Sequence, residues 1–446
     1  MRTAVISLAA VLCMAASVVE GAESDTTLNE IRAQLVALTE RVERLEEVNR
    51  VLAAENDRLR ARYEGLARSA QEQSRDARAQ VVAMPEPSGD HWTSRVSLKG
   101  DLRYRHEHIS DESRNSNGVR TADRDRHRIR ARLNLAVEAT ETIALGFGLA
   151  TAEDGDPRST NQSLSGVFSR KSIDLDLAYF DWQFAAWGNL IGGKMQQPFF
   201  KPGQSLFWDN DIHPEGLAVG FDQGPYFGTL YGYWLSEVSG PQTAITSDSM
   251  LYGGQLGVRL PVGDSTLVLA GHYYDVSAGR GRTPFYDDDS YGNTAITVPA
   301  GASTARVLAY DYRVIDLAAE LNTSLASVPL QLWADLAQNR GTDEHDTAWG
   351  IGLLLGKAGD VRSWELGISY QLIEKDALFA QLIDSDFGAG NTDSAGFVVR
   401  AAYAPLENWV VNATYFINER YVDVLNEAGQ VGADYRRLQL DFNVKF

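Results

Sequence analysis

Apolar residues return at alternating spacings of three and four from Leu28 to Leu66. Leu28, Leu35 and Val42 occupy one position of a heptad, continued by Asn49, Asn56 and Tyr63. Ile31, Leu38, Leu45, Leu52, Leu59 and Leu66 occupy the other, and charged residues fill most of the rest. Two apolar positions per heptad make the narrow seam of a coiled coil, and a single helix cannot bury it. The spacing therefore predicts a self-associating α-helical coiled coil over residues 25–67. The alternative is a lone amphipathic helix packed on the rest of its own chain. Asparagine at a core position trades stability for register and often accompanies two-stranded coils. Residues 68–92 lose the repeat and contain Pro85, Pro87 and Gly89, which marks a linker.

After His91 the period changes to two. Val96, Leu98, Leu102 and Tyr104 alternate with Arg95, Lys99, Asp101, Arg103 and Arg105. Ile129, Ala131, Leu133, Leu135 and Val137 alternate with Arg126, Arg128, Arg130, Arg132 and Asn134. The chain ends with Leu438, Leu440, Phe442, Val444 and Phe446 on one face and Arg437, Gln439, Asp441, Asn443 and Lys445 on the other. Such alternation suits a strand in a soluble sandwich or in a membrane barrel. The connections discriminate. Short ones fall near Thr140 and at 185–188, 222–225, 261–264, 323–328, 357–360 and 405–408. Long polar ones fall between them at 109–123, 152–171, 199–214, 236–249, 277–306, 339–346, 374–394 and 419–434. Strict alternation of short and long is the signature of an even-stranded transmembrane β-barrel. The pattern predicts an all-β membrane domain over 93–446, an antiparallel barrel of about 16 strands with a boundary error of about two. Trp182, Trp234, Trp349, Trp364, Tyr403, Trp409 and Tyr415 sit toward strand ends, as interfacial girdles require. A soluble sandwich of this length would divide into domains, yet no linker follows Gly89.

Composition adds less. The chain is 44% hydrophobic and 23% charged, values that a barrel shares with soluble proteins because its two strand faces average out. Its 39 Gly, 18 Tyr and 16 Phe against 5 Met fit a turn-rich β protein. A net charge of -19 argues against a nucleic-acid partner. Arg2 followed by the apolar stretch Ala4 to Val19 reads as a secretory signal over 1–22, cut near Gly21 or Ala22. The only cysteine, Cys13, lies within it, and bulky Leu12 before it argues against a lipoprotein signal. The exported chain would hold no thiol, which excludes disulfides and thiolate chemistry. No zinc-hydrolase helix, nucleophile elbow or phosphate-binding loop occurs, so neither an enzyme nor a cofactor is expected.

The sharpest local chemistry is a basic row. Arg124, Arg126, Arg128, Arg130 and Arg132 share one face opposite apolar residues, and should point into the lumen. Toward lipid each would cost about 2–4 kcal/mol near the midplane. Lys99, Arg103 and Arg105 stand on the preceding strand, and Arg437 and Lys445 join them if the barrel closes. A positive wall attracts anions. The competing reading is that these groups only satisfy Asp101, Glu138 and other lumen acids. Asp287, Asp288 and Asp289 form an acidic run suited either to a divalent cation or to a solvated loop tip. His106 and His108 share a strand face without a third ligand at a telling spacing, so no metal site is assigned.

Three stretches carry a family resemblance: 124–136 (RDRHRIRARLNLA), 192–199 (GGKMQQPF) and 208–216 (WDNDIHPEG). With them, residues 93–446 resemble the proteobacterial outer-membrane porins of the "putative porin" family. The resemblance implies a passive channel for small hydrophilic solutes, commonly a homotrimer among lipids and lipopolysaccharide. It also implies a third long loop folded inward, bringing Asp209, Asp211 and Glu215 to the constriction. Terminal Phe446 resembles the signal read by the barrel-assembly machinery. The coiled coil would then lie in the periplasm. An alternative is an outer-membrane anchor whose coiled coil tethers the membrane to the cell wall.

Overall fold

The computed structural model describes scattered helical positions between Val36 and Arg50, and residues 92–446 apart from 154, 240–244, 278 and 301–302. The signal segment, the heptad seam and the linker lie outside the described residues. From Val96 onward the alternating pattern becomes sixteen antiparallel strands. They are β1 (Val96–Asp111), β2 (Arg124–Glu138), β3 (Ile143–Thr151), β4 (Ile173–Ala185), β5 (Gly188–Lys194), β6 (Glu215–Gln223), β7 (Tyr226–Ser236) and β8 (Ser249–Val262). The second half comprises β9 (Ser265–Val276), β10 (Tyr312–Leu325), β11 (Val328–Asn339), β12 (Thr347–Gly356), β13 (Trp364–Ile373), β14 (Ser394–Leu406), β15 (Trp409–Arg420) and β16 (Ala433–Lys445). Each pairs with its neighbours in sequence, and β1 pairs with both β2 and β16, so the sheet closes. Closure leaves no strand edge with unpaired backbone groups, the condition for crossing lipid with strands.

Burial along the wall is inverted relative to a soluble protein. On β1, Leu102 is 54% exposed, whereas its neighbour Asp101 is 9% exposed. Leu98, Tyr104, Phe442 and Val444 face outward, while Arg105, Glu107, Arg128, Gln439 and Asp441 are buried inside. Trp182, Trp234, Trp349, Trp364, Tyr403 and Tyr415 are exposed on the outer surface. Trp208 and Trp333 are the exceptions to the girdle pattern and lie buried in the interior.

Long loops and short turns alternate as the sequence predicts. The fifth long loop carries a hairpin, Ala295–Ala300 with Ser303–Leu308, and the second pairs Gln162–Ser163 with Arg128 and Ile129 of β2. The third (L3, 195–214) and seventh (L7, 374–393) fold inward and meet. Met195, Phe199, Phe207 and Trp208 of L3 pack with Leu378, Phe379, Leu382 and Phe387 of L7. Tyr231, Tyr274 and Tyr312 join that core from the wall. Backbone bonds tie the loops together, from Asp209 N to Leu382 O at 2.8 Å and from Asp384 N to Leu206 O at 3.0 Å. Gly203, at φ +46°, lies flat against the Trp333 ring, where a Cβ would fall 2.1 Å from the nearest ring atom. Its N–H donates to Glu320 Oε2 at 2.6 Å, anchoring L3 to β10. The apolar core lies against β7–β11 and reaches Ala348, Ile373, Val398 and Phe416 of β12–β15, while polar space remains against β1, β2 and β13–β16.

The last residue completes the seam. Phe446 N donates to Gly100 O at 3.0 Å and Gly100 N to Phe446 O at 3.1 Å. The Phe446 ring covers Gly100, where an added Cβ would meet it at 2.4 Å. Two backbone bonds of about 0.5–1.5 kcal/mol each and that ring contact depend on one residue. Deleting Phe446 is expected to lower the amount of heat-modifiable folded barrel in the outer membrane. Wild-type levels of the deletion variant would remove Phe446 from the assembly role.

Candidate pore constriction

Register assembles the basic wall. Across β1 and β2, Asp101 faces Arg132, Arg103 faces Arg130, Arg105 faces Arg128 and Glu107 faces Arg126. Two of these pairs are like-charged, an arrangement that is destabilising unless acids intervene. Asp101 accepts Arg130 Nη2 at 2.7 Å and Arg132 Nε at 2.8 Å. Asp441 of β16 accepts Arg105 Nε at 2.6 Å and Nη2 at 2.8 Å. Glu107, 0% exposed, accepts Arg437 Nη2 at 2.7 Å and Arg105 Nη1 at 3.4 Å, and also bonds Arg126 Nε.

The inward loops bring more carboxylates to this wall. Asp386 of L7 accepts Gln439 Nε2 at 2.7 Å and Arg105 Nη1 at 3.4 Å and forms an ion pair with Arg437 at 2.7 Å. Burial acts to raise its carboxyl, but Arg437 and Arg105 outweigh it and hold Asp386 below the usual carboxylate range. Asp384 has no guanidinium bonded to it among the described residues: burial and then the Asp386 charge push it up against the backbone N–H groups of Phe387 and Asp386 and the weaker pull of Arg400. Asp209 of L3 is pushed well up by burial and then by Asp384 and Asp211. Asp211 accepts Thr160 N and Oγ1 at 3.1 Å each and approaches Arg132 at 3.7 Å. Between the loops and the wall lies a polar cavity of about 540 Å³.

Of the residues predicted from sequence, Arg103, Arg105, Arg130, Arg132, Asp209 and Asp211 line this cavity together. Arg126, Arg128 and Arg437 belong to the same wall but are engaged in its bonds, Arg128 with Asn161 O at 2.7 Å. Lys99 has the lumen-facing parity yet lies exposed toward the turn end, outside the cavity lining. Glu215 is a correction. As the first residue of β6 it shares the outward parity of Leu217 and Val219, and it pairs with Lys194 at 3.0 Å, so it does not reach the constriction.

Sequence reasoning missed Asp384 and Asp386, because nothing in a polar loop marks it as one that folds inward. Glu107 and Arg400 were accessible by parity: Glu107 follows Arg103 and Arg105 on β1, and Arg400 is the single charge among Val398, Ala402 and Ala404 on β14. His106 and His108 face outward, the His106 ring tilted against that of His127 at 4.8 Å and His108 bonded to Asp125 at 2.8 Å. Among the described residues no group of three or more His, Cys, Asp or Glu is disposed to hold a metal ion. Asp287, Asp288 and Asp289 are exposed on the fifth loop.

A closed strand wall, an apolar outer belt and a charged lumen narrowed by inward loops define a transmembrane β-barrel of the porin class. The chain belongs to the family described as "Putative porin", whose profile matches residues 117–300 and 285–446. It is therefore an outer-membrane barrel. Among solved structures, OprB of Pseudomonas putida at high pH shares the fold at TM-score 0.51 and 12% identity, over 79% of this chain and 95% of that one. OmpF of Salmonella typhi in complex with daunomycin matches at TM-score 0.46 and 11% identity, over 79% and 97%. A trimer form of OmpT from Vibrio cholerae matches at 0.44 and 11%, over 79% and 99%. No curated protein matches the sequence.

Proposed function

We propose that the protein is a passive diffusion pore for small hydrophilic solutes with a preference for anions. The observation that carries this reading is the polar cavity between the arginine wall and the inward loops. A positive wall lowers the electrostatic barrier for anions and raises it for cations. The test is conductance of the purified protein in a planar bilayer under a salt gradient. Stepwise ohmic currents with a chloride-side reversal potential are expected, and silence from a folded barrel would refute the pore.

Lys201 of L3 lines a second polar cavity, which shares Arg132 and Asn210 with the first, and gives this preference a pH dependence. Burial pushes its ammonium down to about 8, against the pull of Asp209, and Nζ donates to Asn210 Oδ1 at 2.6 Å. The lysine is charged below that pH and neutral above it. Anion preference should therefore decline as pH rises through about 8, and a K201M channel should not show that step. An identical profile in the variant would show that Lys201 does not act on the conducting ions.

We further propose a homotrimer embedded among outer-membrane lipids and lipopolysaccharide, with a signal segment over 1–22, a periplasmic coiled coil over 25–67 and a linker over 68–92. Val167 and Phe168, 91% and 103% exposed at the tip of the second loop, support contact with a neighbouring copy. The heptad seam favours self-association of the stalk and keeps a cell-wall tether as the second reading. A chain lacking residues 24–88 should still conduct, whereas a tether would lose its envelope phenotype.

A further inference from the structure

Acids and cations line the constriction in nearly equal numbers, but their hydrogen bonding is unequal. Asp441 and Asp386 are held by guanidinium groups, and Asp384 and Asp209 by backbone N–H groups. Several cations keep free donors. Arg103 meets the protein through Nε, at 2.9 Å from Asn443 Oδ1 and 3.7 Å from Asp441. The side chain of Arg132, 27% exposed, bonds Asp101 through Nε and comes no nearer than 3.7 Å to Asp211. Among the described residues the Arg400 side chain bonds only the neutral amide of Gln204, through Nη1. The unfilled hydrogen-bonding capacity of the cavity is therefore mostly that of arginine donors.

Two further features narrow the ligand. Ala402, Val410 and Phe416 line the same cavity and offer an apolar surface of a kind that chloride or inorganic phosphate cannot use. The Glu365 side chain lines it without a hydrogen bond among the described residues, and the charges of Asp384, Asp386 and then Glu365 act on Arg400, so a polyanion meets repulsion that a monoanion largely avoids. A guanidinium presents two parallel N–H groups that match a planar carboxylate.

We infer that the constriction contains a saturable site for small aliphatic monocarboxylates, the head group received by free donors of Arg103, Arg132 and Arg400 and the carbon chain lying against Val410 and Phe416. This rests on the pore reading above. The test is single-channel current of the full-length protein in chloride with butyrate added. Current should fall hyperbolically with butyrate, while inorganic phosphate at equal ionic strength blocks about tenfold less well, a difference of about 1.4 kcal/mol. Arg400→Gln should raise the half-blocking butyrate concentration by about tenfold. Arg400→Lys, which keeps a cation without the planar fork, should also weaken block and serves if the glutamine variant does not fold. A linear response to butyrate, equal block by phosphate, or unchanged block in the folded variants would overturn the site. Absence of any wild-type channel would instead overturn the pore itself.

Discussion

Replacing Glu107 with alanine should destabilise the barrel by about 3–5 kcal/mol, the cost of breaking a buried ion pair from one side. Glu107 is fully buried and is approached by Arg105, Arg126 and Arg437. Arg437 would keep only Asp386, on a loop, Arg105 would keep Asp441 and Asp386, and Arg126 would keep no ion-pair partner among the described residues. The exposed pair of Lys194 and Glu215 on the outer face provides the contrast, because such pairs contribute about 0–1 kcal/mol. Urea unfolding of E107A and E215A, refolded into the same vesicles, measures both. Equal midpoints would show that the buried network carries no more stability than a surface pair.

Replacing Arg103 and Arg132 together with alanine should move the reversal potential from the anion side toward the cation side. Both line the cavity, and both retain donors that no acceptor among the described residues fills. Loss of Arg132 also leaves Asp101 with Arg130 as its remaining guanidinium partner, so negative potential is uncovered as positive charge is removed. Arg128 is a poorer target, since its guanidinium bonds Asn161 and approaches Glu153 within the wall. An unchanged reversal potential in the double variant would mean that ions do not pass along this wall.

The barrel was legible because each strand carries its own two-residue repeat. Leu98, Leu102 and Tyr104 must leave the lumen face together once Arg103 and Arg105 enter it, and β1 and β2 repeat that choice independently. Loop lengths were legible for the same local reason. The constriction was half legible. The arginines of β2 follow from parity, but Glu215 was misplaced because the boundary between L3 and β6 decides which way it points. Asp384 and Asp386 were invisible, since their position depends on L7 packing Phe379 and Leu382 against Phe207 and Trp208.

By itself, then, the sequence determined strand number, facing, the order of loops and turns, and a row of arginines directed at water inside a membrane wall. These follow from local alternation, which lipid on one side and water on the other enforce residue by residue. The tertiary structure alone decided which cations remain free. That outcome depends on contacts between distant segments: β16 closing onto β1, L3 meeting L7, and Asp386 and Asp441 reaching Arg105 and Arg437. No periodicity records these contacts, because each partner satisfies its own local pattern whether or not the other arrives.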